Sequence, residues 1–490
     1  MRTFAFSLFV LFFLGFQSHA QGLGDVLRLS QYTYTGSARA TAMGGAFGSL
    51  GADVSSMSLN PAGMGMYRTS EMIFTAGLGY VRGKSVFDNG HGSDERMQLF
   101  ANNISYVATS LRDNSPWESF SVGIGYNRLA DFNRDLAFYT PSGSTSLLDE
   151  FVNFSNLGMG SEAYEVLAIN THLLGYSSSL EPEPYYSDFT MEGTYGQEVI
   201  RSLKVRGGIG EYAVSVGANW MSTLYLGATL GIQDVEYKET MDHKEWAPGS
   251  FEYLEGFWFT DYFKITGWGL NLKAGAVYRP IPSLRLGLAV HTPTWYDLDA
   301  TQETYMDAYY KKDPAIGGED EPVVYSDDYV IEGYGFKIRS PFRYIGSASF
   351  QFGEIGLLSV DYEWVDYGNA DFKMSADPGF EMDIRNQITT LARSAGNLRV
   401  GGEIRAGITS FRAGYAYYGS PDADNYFRNL KLQTYSAGLG WRFSDFYLDV
   451  AYVYTAQKEN VRMYETASAY LVSPVKTNAS RLYATLGFKF

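Results

Sequence analysis

The chain contains no cysteine among its 490 residues and only 5 histidines. The absence of cysteine excludes a disulfide framework and an N-terminal lipoprotein anchor, because both need a thiol. Four of the histidines are scattered beyond residue 20, and without cysteine they give no support for a transition-metal or haem centre. We therefore expect no metal site and no cofactor.

Long hydrophobic runs and basic charge are also scarce. Beyond the first twenty residues we find no stretch of about 18 or more apolar residues, which argues against a transmembrane helix. Charged residues make up 19% of the chain, and the excess of Asp and Glu gives a net charge of −16. Nucleic-acid binding needs clustered Lys and Arg, so we expect no nucleic-acid partner.

The first twenty residues have the three parts of a secretory signal peptide. Arg2 supplies the positive start, residues 4–16 are apolar, and Ser18-His19-Ala20 is a small-x-small cleavage site. We expect residues 1–20 to be removed and the mature chain to begin at Gln21.

Apolar residues alternate with polar or small residues along many stretches of the chain. In the last of these, Leu482, Ala484, Leu486, Phe488 and Phe490 occupy every second position. A period of two indicates a strand with one apolar face. We count about 14 such stretches, an even number as bacterial membrane barrels require, in a chain with 16% aromatic residues.

The connections between these stretches alternate between short and long. Long ones include 81–98, 238–265 and 299–329, and the largest is about 140–211. Membrane barrels have short periplasmic turns and long external loops, whereas a soluble sandwich has no such parity. We predict an all-β fold, a transmembrane antiparallel β-barrel of about 14 strands over residues 71–490, in the cell outer membrane with both termini periplasmic.

The terminal strand ends on Phe490. A barrel strand with a terminal aromatic residue resembles the insertion signal of Gram-negative outer-membrane barrels. The resemblance implies recognition by the barrel assembly machinery through Phe490 and contact with outer-membrane lipids.

Glycine recurs on the polar face of the predicted strands, at Gly77, Gly123, Gly217, Gly227, Gly275, Gly287, Gly414 and Gly438. Glycine weakens a strand, so this recurrence indicates that another piece of backbone packs closely inside the barrel. The candidate is the segment 21–70, which we predict to be a hatch in the lumen. A compact N-terminal subdomain in the periplasm is the alternative.

The N-terminal segment carries a motif of small residues. It contains Ala38-Arg39-Ala40, Met43-Gly44-Gly45-Ala46, Asp53 and Asn60-Pro61-Ala62-Gly63. Asn before Pro is a good helix cap. Followed by an even-stranded barrel, this motif resembles the FadL family of outer-membrane transporters for hydrophobic compounds.

The resemblance implies a 14-stranded barrel whose hatch, carrying Asn60, Pro61, Ala62 and Gly63 together with Gly44 and Gly45, plugs the lumen. It further implies passive uptake of a long-chain fatty acid or a similar hydrophobic molecule. The ligand is captured at an external apolar groove and leaves sideways through a gap made by an inward kink in the third strand.

The third predicted strand has an irregularity that bears on this mechanism. Its alternation holds through Tyr126 and breaks at Asn127-Arg128-Leu129. A continued register would point Arg128 at lipid, which costs roughly 2–4 kcal/mol near the membrane midplane. A kink around Gly125 and Asn127 would avoid that cost. Alternatively, the strand enters the headgroup zone there.

Charged residues on the polar strand faces include Arg399, Glu403, Arg405, Arg412, Arg442 and Asp449. Opposite charges on neighbouring strands and the hatch would pair, and we expect this pairing to hold the plug. A direct place in the ligand path is the alternative. A hydrolase would need a base beside a nucleophile. Since His291 alone falls on a polar strand face, with no nucleophile beside it, we expect no enzyme.

The insertion at 140–211 contains two amphipathic patterns that predict helices, at 146–156 and 162–174. These helices would form an external apolar groove or cap the barrel, and both interpretations stay open. Two functions also stay open. One is uptake of a hydrophobic small molecule or lipid, and the other is a protein-interaction or secretion-machinery role for a FadL-like barrel at the cell surface.

Overall fold

A computed structural model describes residues 22–180, 182–192, 195–314, 321–422, 432–466 and 470–490. The predicted signal peptide and Gln21 lie outside these described residues.

Twenty strands occur in the described residues, and eighteen of them form one antiparallel sheet. They are β1 (Glu71–Phe87), β2 (Gly90–Leu111), β3 (Trp117–Asp131), β4 (Arg134–Thr140), β5 (Gly175–Tyr176), β6 (Tyr185–Tyr186), β7 (Glu198–Trp220), β8 (Leu224–Trp246), β9 (Leu254–Ile281), β10 (Leu284–His291), β11 (Trp295–Tyr310), β12 (Val323–Arg339), β13 (Arg343–Phe352), β14 (Gly356–Asp366), β15 (Asp371–Lys373), β16 (Ser394–Ala406), β17 (Thr409–Tyr418), β18 (Leu432–Arg442), β19 (Phe446–Glu465) and β20 (Tyr470–Lys489). The short β5 and β6 pair only with each other.

The eighteen strands occupy fourteen positions around a closed barrel. Four positions hold two consecutive strands, because the chain interrupts its pairing and then continues in the same direction: β3 with β4, β10 with β11, β12 with β13, and β14 with β15. The first and last strands close the ring, with Glu71 opposite Lys489 and Ser85 opposite Val475. The predicted antiparallel barrel of about 14 strands is confirmed.

The helical elements lie before the barrel and in its connections. The α-helices are α1 (Leu23–Leu29), α2 (Ala38–Ala42), α3 (Leu147–Asn156), α4 (Glu165–Asn170), α5 (Asp188–Glu192) and α6 (Pro378–Leu391), and the 3-10 helices are Val54–Met57, Pro61–Met66, Ser178–Leu180 and Tyr367–Asn369. None of these helices, within the described part of the chain, has the length and apolar character needed to cross a bilayer.

The outer surface of the barrel is apolar, and the inner surface is polar. Along β1, Met72, Phe74 and Leu78 are exposed, while Glu71 and Thr75 are buried toward the lumen. Aromatic and aliphatic side chains continue this exposed band on the other strands. Such a band around a polar interior is typical of a barrel that spans a membrane.

The strands are taller than the period-two pattern indicated. The hairpin of β1 and β2 stays paired up to Phe87 and Gly90, inside the range 81–98 that we expected to be a loop. The pairs β8–β9 and β11–β12 likewise extend into 238–265 and 299–329, and β7 begins at Glu198 rather than after 211. In these taller parts the apolar side chains, such as Phe257, Phe259 and Met306, point inward and are buried. The alternation therefore changes faces there, although the hydrogen bonds continue.

The two ends of the barrel differ in their connections. Tight turns such as 112–116, 221–223 and 353–355 join strands at one end, called here the short-turn end, and the insertion between β4 and β7 lies at the other, the long-loop end. Phe490 lies at the short-turn end, where its N–H donates to the Ser70 carbonyl. Gly22, the first described residue, instead lies beside Ile384 of α6, because residues 22–36 run through the lumen. The periplasmic orientation of both termini stays a prediction.

The hatch, meaning here the described residues 22–70, fills the lumen against the glycines of the wall. A Cβ built on any of seven of the eight inward glycines would meet hatch atoms, the glycines being Gly123, Gly217, Gly227, Gly275, Gly287, Gly414 and Gly438. Gly77 differs, since its neighbour is the Phe100 ring. The inference that backbone packs inside the barrel is confirmed.

A leucine at Gly227 tests this packing. Its side chain would occupy the place of the Pro61 carbonyl and the Ala62 nitrogen. Overpacking of this kind costs about 1–3 kcal/mol. We expect Gly227→Leu to lower the free energy of unfolding by that amount in lipid vesicles and to raise single-channel conductance as the hatch shifts.

Gly346→Leu is the matched control, because a Cβ at Gly346 of β13 meets no atom within 4 Å. Equal stability and equal conductance of the two variants would contradict the close packing of the hatch.

Candidate functional site

The Asn-Pro-Ala-Gly motif forms a capped turn at the bottom of the hatch. The Asn60 side chain accepts the Ala62 N–H at 3.1 Å and donates to the Gly48 carbonyl at 2.6 Å. Pro61 begins the 3-10 helix Pro61–Met66, where its fixed backbone angle suits the first turn. Gly63 accepts from the Ala52 N–H at 3.0 Å through its carbonyl. The motif thus joins two arms of the hatch and lies against β7, β8 and β9.

The two predicted hatch glycines are required by the backbone. Gly44 and Gly45 have φ of 65° and 73°, a left-handed conformation that side chains disfavour. A Cβ on Gly44 would also lie 2.9 Å from the Tyr415 carbonyl oxygen of β17. These residues therefore form the close contact between hatch and wall on the side opposite Asn60.

Charged side chains of the wall bind the hatch directly. The Asp361 carboxylate accepts the N–H groups of Phe47 and Gly48 at 3.0 and 2.9 Å. Arg343 donates to the Ser30 carbonyl and, at 2.7 Å, to Glu363. Each anchor is buried, so it is shielded from the solvent that would weaken it.

The predicted lumen charges form one connected network with Arg39 of the hatch. Glu403 accepts from Arg39 at 2.9 Å, from Arg412 at 2.7 Å and from Arg405 at 2.8 Å. Asp449 accepts from Arg412 at 2.7 Å and from Arg442 at 2.9 Å. Arg399 lies apart from these five and pairs with Glu363 at 2.7 Å. Buried charges without partners are costly, so this network ties Arg39 to four strands, β16 to β19.

The third strand leaves its neighbour where the sequence pattern breaks. Gly125 is still paired on both sides, with Ser105 and Ala213, and Asn127 is the last residue of β3 to pair with β2, opposite Asn103. The register against β7 then shifts between Arg128 and Ala130. The chain continues as β4, which pairs with β7 but has no backbone pairing with β2 in the described residues.

Beyond the break, β4 lies behind the hairpin of β1 and β2, on its lumen side. A Cβ on Gly83 or Gly92 of the hairpin would meet the backbone of Asp135 or Ala137. The upper edge of β2 is consequently unpaired, and it carries the exposed side chains Met97 and Leu99, 68% and 79% exposed. The wall therefore contains a gap between β2 and β3 that side chains span, as Gln98 does by donating to Asp131 at 2.7 Å.

The hatch contacts the inner side of this gap. The Thr33 N–H donates to the Leu129 carbonyl at 2.9 Å, and the Asn102 side chain donates to the Gly36 carbonyl at 2.6 Å. At the base of the gap, the Asn127 amide donates to the Ser58 hydroxyl at 3.0 Å. The first of these bonds gives the Leu129 carbonyl a partner beyond the last β2–β3 pair, and the other two hold wall side chains against the hatch.

A large cavity of about 440 Å³ lies between the hatch and the insertion. Its lining is mainly aromatic and aliphatic, including Phe138, Phe151, Phe154, Tyr237 and Phe263. The predicted helices of the insertion supply part of it, since Leu147, Phe151 and Phe154 belong to α3. The insertion therefore lines an apolar space as well as covering the barrel.

Helix α3 is fixed in place by its first turn. The Leu148 N–H donates to the Ser146 hydroxyl at 3.1 Å, and the Asp149 carboxylate accepts the Ser146 N–H at 3.0 Å. Burial raises the pKa of the Asp149 carboxyl to about 6, and the Ser146 N–H works against that rise. The capping box keeps the apolar face of α3 turned into the cavity.

The cations that line this cavity differ in their partners. Arg28 pairs with Asp25, and Arg134 pairs with Glu459. Arg201 donates to His243 Nδ1 at 2.9 Å and to the Met463 carbonyl, while its Nη2 atom has no hydrogen-bond partner among the described residues. Arg201 is buried and belongs to the lining of the cavity.

A second cavity of about 200 Å³ lies beside the gap in the wall. The two cavities share part of their lining, namely Thr33, Ala130, Asp131, Phe132, Arg134, Tyr418, Leu432 and Gln457. Four of these residues follow the break in β3. The two cavities are therefore neighbours, one under the insertion and one beside the gap between β2 and β3.

Sequence reasoning did not identify Arg201, Ala130 or the segment 22–34 as cavity residues. Arg201 falls inside the range assigned to a loop, and its partners are distant in sequence. In the described residues, no three His, Asp or Glu side chains are arranged to hold a metal ion. The site is therefore a set of apolar cavities beside a kinked wall strand.

Solved structures of similar shape exist for this chain. A Pseudomonas aeruginosa FadL homologue matches with a TM-score of 0.53 at 13% identity, over 93% of this chain and 98% of that one. The P. putida toluene transporter TodX matches with a TM-score of 0.53 at 13% identity, over 94% and 99%. The Ralstonia pickettii toluene transporter TbuX gives 0.50 at 13% identity, over 94% and 99%.

No protein-family model matches the chain, and no curated protein matches it by sequence. At 13% identity the structural likeness concerns the fold alone. The chain has the fold of the FadL-type barrels, as the hatch motif and the strand count indicated.

Proposed function

We propose that this FadL-type barrel is an outer-membrane channel for the passive uptake of a hydrophobic small molecule. The molecule enters from the long-loop end, occupies the larger cavity and leaves sideways into the membrane between β2 and β3. The observation that carries the proposal is that the cavity under α3 and the cavity beside the gap in the wall share eight lining residues.

The outer surface supports a place in the outer membrane. Its apolar band would contact lipid, and the long-loop end would face the cell exterior. Phe490, 73% exposed at the short-turn end, would then lie in the periplasm, where the barrel assembly machinery would recognise it.

The hatch supports lateral release rather than passage straight through the lumen. Its backbone contacts wall glycines on several sides, and Arg39 is held by a buried ion network. Moving the whole hatch would break these contacts together, whereas the gap already lacks backbone hydrogen bonds. The exposed Met97 and Leu99 at the edge of β2 offer an apolar exit into hydrocarbon.

The resemblance to transporters supports transport rather than enzymatic catalysis. The structures of similar shape are those of a FadL homologue and of two toluene transporters. The cavities also favour transport over a role limited to protein contacts, because a docking platform needs no internal route to the wall.

Arg201 supports a long-chain fatty acid, or another amphipathic acid, as the ligand. Arg201 belongs to the cavity lining, and its Nη2 atom has no hydrogen-bond partner among the described residues. Charge-assisted bonds to a carboxylate are about twice as strong as neutral ones. A neutral hydrocarbon would use the same cavity without this bond.

Filling the junction of the two cavities tests the route. Ala130 lines both cavities, so we expect Ala130→Trp to reduce uptake of a labelled hydrophobic substrate into proteoliposomes to near the protein-free rate. Ala108→Trp on β2 is the control, because Ala108 faces outward. Full uptake by Ala130→Trp would contradict the proposed route.

Removing the Arg201 donor tests the ligand class. We expect Arg201→Met to weaken binding of a long-chain fatty acid about tenfold or more, since a charged hydrogen bond contributes about 1.5–3 kcal/mol. Binding of toluene should not change. Lys204→Met on the same strand, with a half-exposed side chain, is the control. Equal loss for the acid and for toluene would show that Arg201 acts on cavity shape alone.

A further inference from the structure

The sheet above the apolar band ends in an open edge. At the long-loop end, β4, β7, β8, β9, β11 and β12 continue side by side beyond the hatch. β12 is the last of these strands. It pairs with β11 on both sides of a bulge at Glu332 and Gly333. On its other side, β15 covers only Lys337, Ile338 and Arg339. Among the described residues, no backbone pairing occurs along that other edge between residues 323 and 335.

The open edge is held in an extended conformation from one face. The Tyr325 ring packs edge-on against His172, with 4.5 Å between ring centroids, and the Asn170 amide donates to Asp327 at 2.7 Å. Tyr329 donates to Glu162 of the insertion. The opposite face, with Val324, Asp328 and Val330, is exposed. The strand is therefore organised before any partner arrives, which lowers the entropy cost of binding.

The edge lies in an acidic part of the molecule. Residues 295–339 contain eleven Asp and Glu against four Lys and Arg, in a chain whose net charge is −16. In the described residues, neither Asp328 nor Glu332 of β12 forms an ion pair, although both are exposed. The local field would attract cations and repel a second acidic edge.

We propose that the edge of β12 binds an extended, basic segment of another polypeptide, which adds to the sheet as a further strand. Unpaired N–H and C=O groups supply the main-chain bonds, and alternate Lys or Arg side chains of the partner face Asp328 and Glu332. Thirteen residues at about 3.3 Å each exceed the length of a typical strand. Like charges placed opposite each other destabilise a strand pair, so a second copy of this chain is excluded.

The test uses the purified full chain in nanodiscs and three synthetic peptides of equal length. One alternates Lys with Val, one carries Glu in place of Lys, and one is the Lys peptide with alternate backbone nitrogens methylated. We expect saturable binding of the Lys peptide by fluorescence anisotropy, weakening as salt is added, and at least tenfold weaker binding of the other two. Hydrogen exchange should slow at residues 323–335 when the Lys peptide binds.

The variant Asp328→Asn/Glu332→Gln tests the charges without touching Asp327 or Tyr329. We expect it to weaken Lys-peptide binding about tenfold. Asp113→Asn/Glu354→Gln is the matched control, because these exposed acids lie in short turns at the other end of the barrel.

Absence of Lys-peptide binding would overturn the proposal. Equal binding of the methylated peptide would also overturn it, as would slowed exchange outside 323–335 or equal effects of the two variants. Uptake of a hydrophobic substrate plays no part in these measurements, so the transport proposal stands or fails separately.

Discussion

Close contact between the hatch backbone and the barrel wall is the constraint on which the rest of the structure depends. At Gly217, Gly227 and Gly414, a side chain would overlap backbone atoms of the hatch. The wall accepts glycine there despite its cost to a strand, because only glycine leaves room for a second chain. The lower lumen is filled as a result, and the buried pairs of Arg39 and Asp361 hold the filling segment in register with the wall.

The plug and the kink in the third strand depend on each other. A strand that leaves its partner exposes carbonyl and N–H groups, which are expensive to leave unpaired at membrane depth. Here the hatch supplies partners for them, as the Thr33 N–H does for Leu129 and the Thr35 hydroxyl does for Arg128. The hatch, which closes the lumen, thus also stabilises the gap between β2 and β3. The same contacts block the path along the barrel axis and leave the sideways path open.

The sequence predicted those parts of the fold in which the same physical requirement recurs at a regular spacing along the chain. Lipid on one side and water on the other impose the period of two, and backbone crowding imposes the inward glycines, so the barrel and its hatch were both accessible. The tall strands above the membrane were missed, because their apolar residues change from the outer face to the inner face, as at Phe257, Phe259 and Met306. The cavity around Arg201 was also missed. Its lining residues come from the hatch, the insertion and several strands, so no local sequence pattern indicates that they lie together.

The central claim is that the hatch is a fixed plug and that release is lateral. Uptake by a variant whose hatch is linked to the wall by a disulfide tests this claim most directly. A Cβ built on Gly48 lies 3.1 Å from the Cβ of Ser347, near the spacing of about 3.5–4.5 Å in disulfides. Because the chain has no cysteine, Gly48→Cys/Ser347→Cys would carry the only thiols. If the hatch is a fixed plug and release is lateral, the oxidised and reduced forms take up a hydrophobic substrate at the same rate. Uptake that stops on oxidation and returns on reduction would contradict the account.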